Sequence, residues 1–338
     1  MDHSKLYETA ASLLAPGKGI LAADESNGTM NKRLASIDVP QEAENRRKFR
    51  QLLFTAPKIE KYISGVILYD SSIRNLTDDG IAFPDVLMSR GIIPGIKVDK
   101  GTVPLTNFTD EVTTEGLDGL AERLKEYFDM GARFAKWRAV ISITDELPTD
   151  ECILANSFTL ARYAALCQEA GIVPMIEPEV LLNGSHDIVR AEAVTMHTLQ
   201  ILFNVLKEYK VDLKGVILKS SMVLSGDKHS PVSTPEEVAD ATLRTFHLSV
   251  PHEVPGVVFL SGGQETIRAT ENLQMIATRG PQPWKITFSY SRAIEEPVLA
   301  AWQGKDENVE KAQKAMLHRC KMNALASEGK YSEKEEKG

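Results

Sequence analysis

Gly215–Met222 reads Gly-Val-Ile-Leu-Lys-Ser-Ser-Met: a short apolar run that stops on a lysine and two hydroxyls. A continuous run of this length suits a strand buried on both faces, as in a parallel sheet. Working outward, the same form recurs at Gly19–Asp24 (GILAAD), Gly65–Asp70 (GVILYD), Ile92–Val98 (IIPGIKV), Arg133–Val140 (RFAKWRAV), Ile172–Glu179 (IVPMIEPE), Gly256–Gly263 (GVVFLSGG) and Lys285–Tyr290 (KITFSY). Between the runs lie stretches with apolar residues three and four apart: Leu117–Met130, Cys152–Ala170, His186–Glu208 and Thr234–Leu248. The last opens Thr-Pro-Glu-Glu, an N-cap followed by proline and acids in the first turn. Strand and helix alternate without a linker-like break, which places the chain in the α/β class. Eight strands in one alternation predict a (β/α)8 TIM barrel as a single domain, with an open doubly wound sheet as the alternative. The barrel is assigned residues 1–325, and the polar stretch ASEGKYSEKEEKG, 326–338, is expected to be a flexible tail.

The totals agree with one large core. The chain has 338 residues, 43% hydrophobic and 25% charged; barrels commonly run to about 250 residues or more. Asp and Glu number 47 against 39 Lys and Arg, a net charge of −8. So acidic a chain lacks the basic footprint of a nucleic-acid binder, and an anionic substrate would need positive charge gathered locally. The cysteines, Cys152, Cys167 and Cys320, form no CxxC pair, which predicts a reducing, cytoplasmic setting. The opening MDHSKLYETAASLLAPGKG has neither the basic nor the apolar segment of a secretory leader. No apolar run approaches the roughly 18 residues of a membrane span. None of the seven histidines falls in the eight runs, and no HxxxH or HxH pair occurs, so no metal and no cofactor is expected.

Side chains two apart on a strand share a face, and the polar residues at the run ends come in such pairs. They are Asp24 and Ser26, Lys97 and Asp99, Lys136 and Arg138, Glu177 and Glu179, Lys219 and Ser221. One charged residue at a strand end is often only the point where the chain meets water; five pairs at one end of a barrel point to a catalytic mouth. Lys97, Lys136 and Lys219 converge there. Crowded cations and an apolar surround both lower a lysine pKa. Moving one from about 10.4 to about 7 takes roughly 4–5 kcal/mol. Lys219 is the expected nucleophile, because no acid lies in its own run and Val216, Ile217 and Leu218 precede it. Glu177 and Asp24 can move the protons that imine formation and carbon–carbon cleavage require. Leu260–Gln264 reads LSGGQ, which matches a signature of ATP-binding-cassette ATPases, but nothing in the chain matches GxxxxGK[ST]. Glycines ahead of a helix suit a phosphate instead, and Arg292, after the eighth run, can close the same site.

Taken in order, GKGILAADES, ENRRKFRQLL, GVILYD, GIKVDKG, FAKWR, GIVPMIEPE, LSGGQ, TFSYSRA and SEGKYS resemble the class I fructose-bisphosphate aldolases, from near residue 17 to about residue 332. The resemblance implies Lys219 as the Schiff-base lysine and Glu177 as the acid/base of carbinolamine dehydration. It implies Asp24 at the C4 hydroxyl proton, Lys136 as electrostatic partner and Glu179 as a supporting carboxylate. It places Ser261, Gly262 and Arg292 at the ketone-side phosphate with Gly263 and Tyr290 flanking, and Lys97, Arg138, Ser26 and Thr29 at the other. The implied ligands are fructose 1,6-bisphosphate and triose phosphates, and the implied assembly is a homo-oligomer, commonly a tetramer. A transaldolase-like barrel enzyme and a non-catalytic sugar-phosphate-binding scaffold are the rival readings. The chain departs from the animal pattern at Ser220-Ser221 (there Pro-Asn), at Ser291 (there Gly) and at Asn27 (there Thr). Animal members also continue in a tail ending in tyrosine, whereas the last tyrosine here is Tyr331.

Overall fold

The computed structural model describes residues 3–337. The chain lays down β1 (Gly19–Ala23), β2 (Ile63–Leu68) and β3 (Ile93–Lys97), then a small antiparallel hairpin, β4 (Thr102–Pro104) and β5 (Val112–Thr114). It continues with β6 (Phe134–Ile141), β7 (Val173–Val180), β8 (Ile217–Ser220), β9 (Gly256–Phe259) and β10 (Lys285–Tyr290). Apart from the hairpin, the strands are parallel and close in sequence order into an eight-stranded barrel, β10 pairing back onto β1 through Ile20↔Ser289 and Leu21↔Tyr290. This is the (β/α)8 architecture that the eight runs predict; the open sheet is excluded by that closure. The runs and strands agree closely, except that β8 and β9 stop at Ser220 and Phe259. Lys219 and Ser220 thus end β8 itself, whereas Ser221 and Ser261–Gly263 lie on the loops that follow. The hairpin has no counterpart among the eight runs. It sits beside β6, with the Thr114 hydroxyl donating to Arg138 O at 2.7 Å.

Alternation along the strands explains where polar groups gather. The barrel interior is plugged by Ile20, Ala22, Ile67, Phe134, Val173, Met175, Ile217 and Val258, and Leu6, Ala10 and Leu13 of the helix Ser4–Leu13 close its lower end. Room for the Phe134 ring comes from Gly95, where a Cβ would lie 2.3 Å from the ring. Truncating Phe134 to Ala is expected to cost about 3–5 kcal/mol. The next inward position beyond the plug is Asp24 after Ala22, Lys136 after Phe134, Glu177 after Met175 and Lys219 after Ile217. The intervening residues, such as Leu21, Trp137, Ile176, Leu218 and Phe288, face outward into the larger core between strands and helices.

The helices start where the sequence marks them. Thr234 and Glu237 form a reciprocal capping box on the helix Pro235–Ser249, an arrangement typically contributing about 1 kcal/mol. Thr149 caps the helix Asp150–Glu169. At the other end of the chain the helix Val309–Ser327 runs past the boundary drawn at 325. Beyond it, Tyr331 N donates to Gln274 Oε1 at 2.9 Å, and the Glu336 carboxylate pairs with Arg319 and, at 3.0 Å, with His318.

Candidate active site

The C-terminal ends of the strands surround a cavity of about 570 Å³. At its floor four buried side chains form one ionic chain. Lys136 Nζ lies 2.7 Å from Asp24 Oδ2 and 2.9 Å from Glu177 Oε2, and Lys219 Nζ lies 3.1 Å from Glu177 Oε1. Each is at most 6% exposed as a residue, so these charges are barely screened by water. Strand register builds the cluster: Lys97 pairs with Lys136 across β3 and β6, and Arg138 with Glu177 across β6 and β7.

Burial opposes charge on Glu177, but Lys136, Lys219 and Arg138 outweigh it and bring the carboxyl down to about 2. Burial likewise opposes charge on Lys136, yet the carboxylates of Asp24 and Glu177 hold its ammonium above the ordinary lysine range. Two sequence expectations are corrected here. Lys136 is not lowered by crowding with other lysines, because two carboxylates flank it. Lys219 does not lack a counter-charge, because Glu177 reaches it from the neighbouring strand. The three lysines differ instead in their partners: Lys136 touches two carboxylates, Lys97 is tied to Asp99, and Lys219 shares Glu177 with Lys136.

Above this floor the remaining groups form a rim. Asp99 accepts from Lys97 Nζ, from Gly101 N at 3.1 Å and from Arg138 N at 3.2 Å, while Arg138 Nε donates to Glu179. Ser26 caps the helix Asn27–Ala35 by accepting from Thr29 N, and its hydroxyl meets the Thr29 hydroxyl at 3.1 Å. Across the mouth, Ser261 and Gly262 follow β9, and Arg292 opens the helix Arg292–Trp302. Gly262 has φ +58° and Gly263 φ +94°, conformations in which a side chain would be strained. A Cβ on Gly263 would also lie 3.1 Å from Arg292 Nη2.

Twelve of the fourteen residues to which the resemblance gives a site role line this cavity, with Asp99 beside them: Asp24, Ser26, Thr29, Lys97, Lys136, Arg138, Glu177, Glu179, Lys219, Ser261, Gly262 and Arg292. Gly263 lies behind Arg292, in an adjoining cavity of about 480 Å³. Tyr290 is corrected. It is fully buried, and its hydroxyl donates to Ala269 O at 2.9 Å, on the outer side of β10. Alternation turns Ser289 inward instead, with a buried hydroxyl that has no hydrogen-bond partner among the described residues. Ser221 also turns away, donating to Val180 O at 2.9 Å.

A floor of two buried lysines and two carboxylates, beneath a mouth that carries Lys97 and Arg138 on one side and Arg292 on the other, invites comparison with known enzymes. The family described as fructose-bisphosphate aldolase class-I matches residues 5–338. A probable class 1 fructose-bisphosphate aldolase of Xanthomonas axonopodis pv. citri is 51% identical over 98% of this chain and 99% of its own. The cytosolic fructose-bisphosphate aldolase 4 of Arabidopsis thaliana is 49% identical over 97% of this chain and 84% of its own. A solved structure of Plasmodium falciparum fructose-bisphosphate aldolase, in complex with TRAP and a small-molecule inhibitor, superposes with a TM-score of 0.96 at 45% identity, covering 98% and 96% of the two chains.

The chain belongs to the class I fructose-bisphosphate aldolase family. As an aldolase it is an aldehyde-lyase, and the ATPase reading of LSGGQ is set aside. Among the described residues of this aldolase, no group of three or more His, Cys, Asp and Glu is arranged to hold a metal ion. No described helix is long and apolar enough to cross a membrane. Among the residues at the aldolase cavity that sequence reasoning missed are Glu25, Arg33, Tyr69, Lys100, Thr102, Ser289 and Ser291. Ser289 had a signal, being an even number of positions from Thr287 on the same strand; Glu25 and Arg33 had none.

Proposed function

We propose that Lys219 is the Schiff-base nucleophile for the cleavage of fructose 1,6-bisphosphate into dihydroxyacetone phosphate and glyceraldehyde 3-phosphate. The observation that carries this reading is the 3.1 Å contact between Lys219 Nζ and Glu177 Oε1, with Lys136 on the far oxygen of the same carboxylate. To attack the C2 ketone the ammonium must first lose a proton, and Glu177 stands in reach to take it. The carbinolamine hydroxyl then leaves as water with that same proton, giving an iminium and restoring the carboxylate. Lys136, held cationic by two acids, lowers the energy of the carboxylates throughout and does not compete as nucleophile.

The iminium draws electrons from the C3–C4 bond. Asp24 takes the C4 hydroxyl proton as that bond breaks, glyceraldehyde 3-phosphate leaves, and an enamine remains on Lys219. Protonation at C3 and hydrolysis release dihydroxyacetone phosphate. Ser261, Gly262 and Arg292 hold the ketone-side phosphate, Gly263 giving Arg292 room. Lys97, Arg138, Ser26 and Thr29 hold the other, and Glu179 orients Arg138. Grips at both ends let binding energy remote from C2–C4 assist the chemistry, and they favour a bisphosphate over the singly phosphorylated substrates of a transaldolase. The family supports a cytoplasmic homo-oligomer, commonly a tetramer.

Borohydride reduction with dihydroxyacetone phosphate, followed by peptide mapping, tests the assignment. The triose should be found on Lys219 alone, and Lys219→Met should abolish both adduct and cleavage. An adduct on Lys97 or Lys136, or normal turnover by the variant, would overturn it.

A further inference from the structure

Ser26 and Arg292 line the cavity at the exits of two neighbouring strands, β1 and β10, and each directly follows a member of one buried network: Glu25 precedes Ser26, and Ser291 precedes Arg292. The Ser291 hydroxyl donates to Glu25 Oε1 at 2.6 Å and accepts from Arg33 Nη2 at 3.1 Å. Arg33 Nη1 reaches Glu25 Oε1 at 2.5 Å and Glu295 Oε2 at 2.7 Å, and Arg50 spans the same two carboxylates. The side chains of Glu25, Arg50 and Glu295 are each at most 6% exposed.

What singles out Ser291 is the direction of its hydroxyl. It is the cap residue of the helix Arg292–Trp302, yet its side chain makes no capping bond. A serine there ordinarily accepts from the N–H two or three residues on, as Ser26 does from Thr29 N. Ser291 forgoes that local bond for one across the β1–β10 seam.

We propose that Ser291 is a positioning residue for substrate: its hydroxyl ties the exit of β10 to the exit of β1 and so fixes Arg292 relative to Ser26 and Thr29. This rests on the reading that these residues hold the two phosphates. Without the tie, the rims keep their groups but lose a fixed separation, which weakens the binding of a ligand gripped at both ends more than it slows the chemistry at Lys219.

Steady-state kinetics on Ser291→Ala and Ser291→Thr test it. The alanine variant should raise KM for fructose 1,6-bisphosphate about ten-fold, the scale of one hydrogen bond to a charged group. Its kcat should change less than about two-fold and its melting temperature less than about 3 °C. Threonine, which keeps the hydroxyl, should restore KM. An unchanged KM in the alanine variant, a fall in kcat and melting temperature without a rise in KM, or a threonine variant that behaves like alanine would each overturn the inference. Borohydride trapping of the unmodified enzyme is run beside these. Capture at Lys219 with no effect at Ser291 overturns this inference alone; absence of capture overturns the reading beneath it, and the inference with it.

Discussion

The molecule buries two clusters of the same formal make-up side by side. At the cavity floor Lys136 and Lys219 meet Asp24 and Glu177; at the β1–β10 seam Arg33 and Arg50 meet Glu25 and Glu295. Two cations and two acids stand in each, and the cations differ in kind. An ammonium can lose its proton and is a point charge on a flexible stem, whereas a guanidinium keeps its charge and offers a rigid fork of donors. On the mechanism proposed above, lysines occupy the cluster where a proton has to move, and arginines the one where positions have to hold. The acids differ as well. In the seam, burial raises Glu295, and the charge of Glu25 adds to that effect. Burial also opposes the charge of Glu25, but Arg50 and Arg33 override it and hold that carboxyl below the ordinary range. The two seam carboxyls are thus driven in opposite directions, Glu295 upward and Glu25 downward.

The largest expected effect separates the lysines from the arginines. Lys219→Arg keeps the charge and removes the nucleophile, so cleavage should fall by at least about 10⁴-fold while the far-ultraviolet spectrum stays unchanged. Residual turnover near that of the unmodified enzyme would erase the distinction between the clusters. Next comes Arg50→Ala, which strands buried carboxylates and should cost about 3–5 kcal/mol in urea unfolding. Glu295→Gln, which mimics the protonated acid, should by contrast cost less than about 1 kcal/mol; equal losses would show that Glu295 is ionised. Arg292→Ala acts at the rim. It should raise KM for the bisphosphate and weaken dihydroxyacetone phosphate by about 1.5–3 kcal/mol in titration calorimetry.

A smaller effect is read as a slope. Glu177 is held at about 2 in the folded chain against an ordinary value of 4.5. Between those values the unfolded chain binds more protons, so the stability this group contributes is full above about pH 4.5 and is lost as pH falls toward 2. Acid unfolding of Glu177→Gln should have a shallower pH dependence in that window; an identical slope would place the depressed carboxyl elsewhere. Exhaustive EDTA treatment should leave activity unchanged, and loss reversed by zinc would contradict the lysine chemistry.

Much of this was legible in the sequence because strand parity is local. Once Phe134 is inward, Lys136 and Arg138 must be; once Met175 is inward, so are Glu177 and Glu179. The same rule, applied from Thr287, would have turned Ser289 in and Tyr290 out. What parity cannot supply is the neighbour across the sheet. The acid beside Lys219 comes from β7, and Arg33 and Arg50 meet Glu295 across 262 and 245 residues of chain. The β4–β5 hairpin escaped because its strands, Thr102–Pro104 and Val112–Thr114, are three residues each and the first includes a proline.

The closure of β10 onto β1 bears on how this protein comes into being. Ile20 meets Ser289 only after most of the polypeptide has been made, and the two rims draw on residues from both sides of that seam. A nascent chain paused after β9 would contain Lys219, Glu177 and Lys136 but no Arg292, and β1 would lack the partner strand that closes the barrel, leaving an edge able to pair with another chain. The ribosome therefore releases the full set of cavity residues, Arg292 among them, only near the end of synthesis. Because the cavity takes its lining from both ends of the chain, from Asp24 to Arg292, it is complete only in a finished molecule.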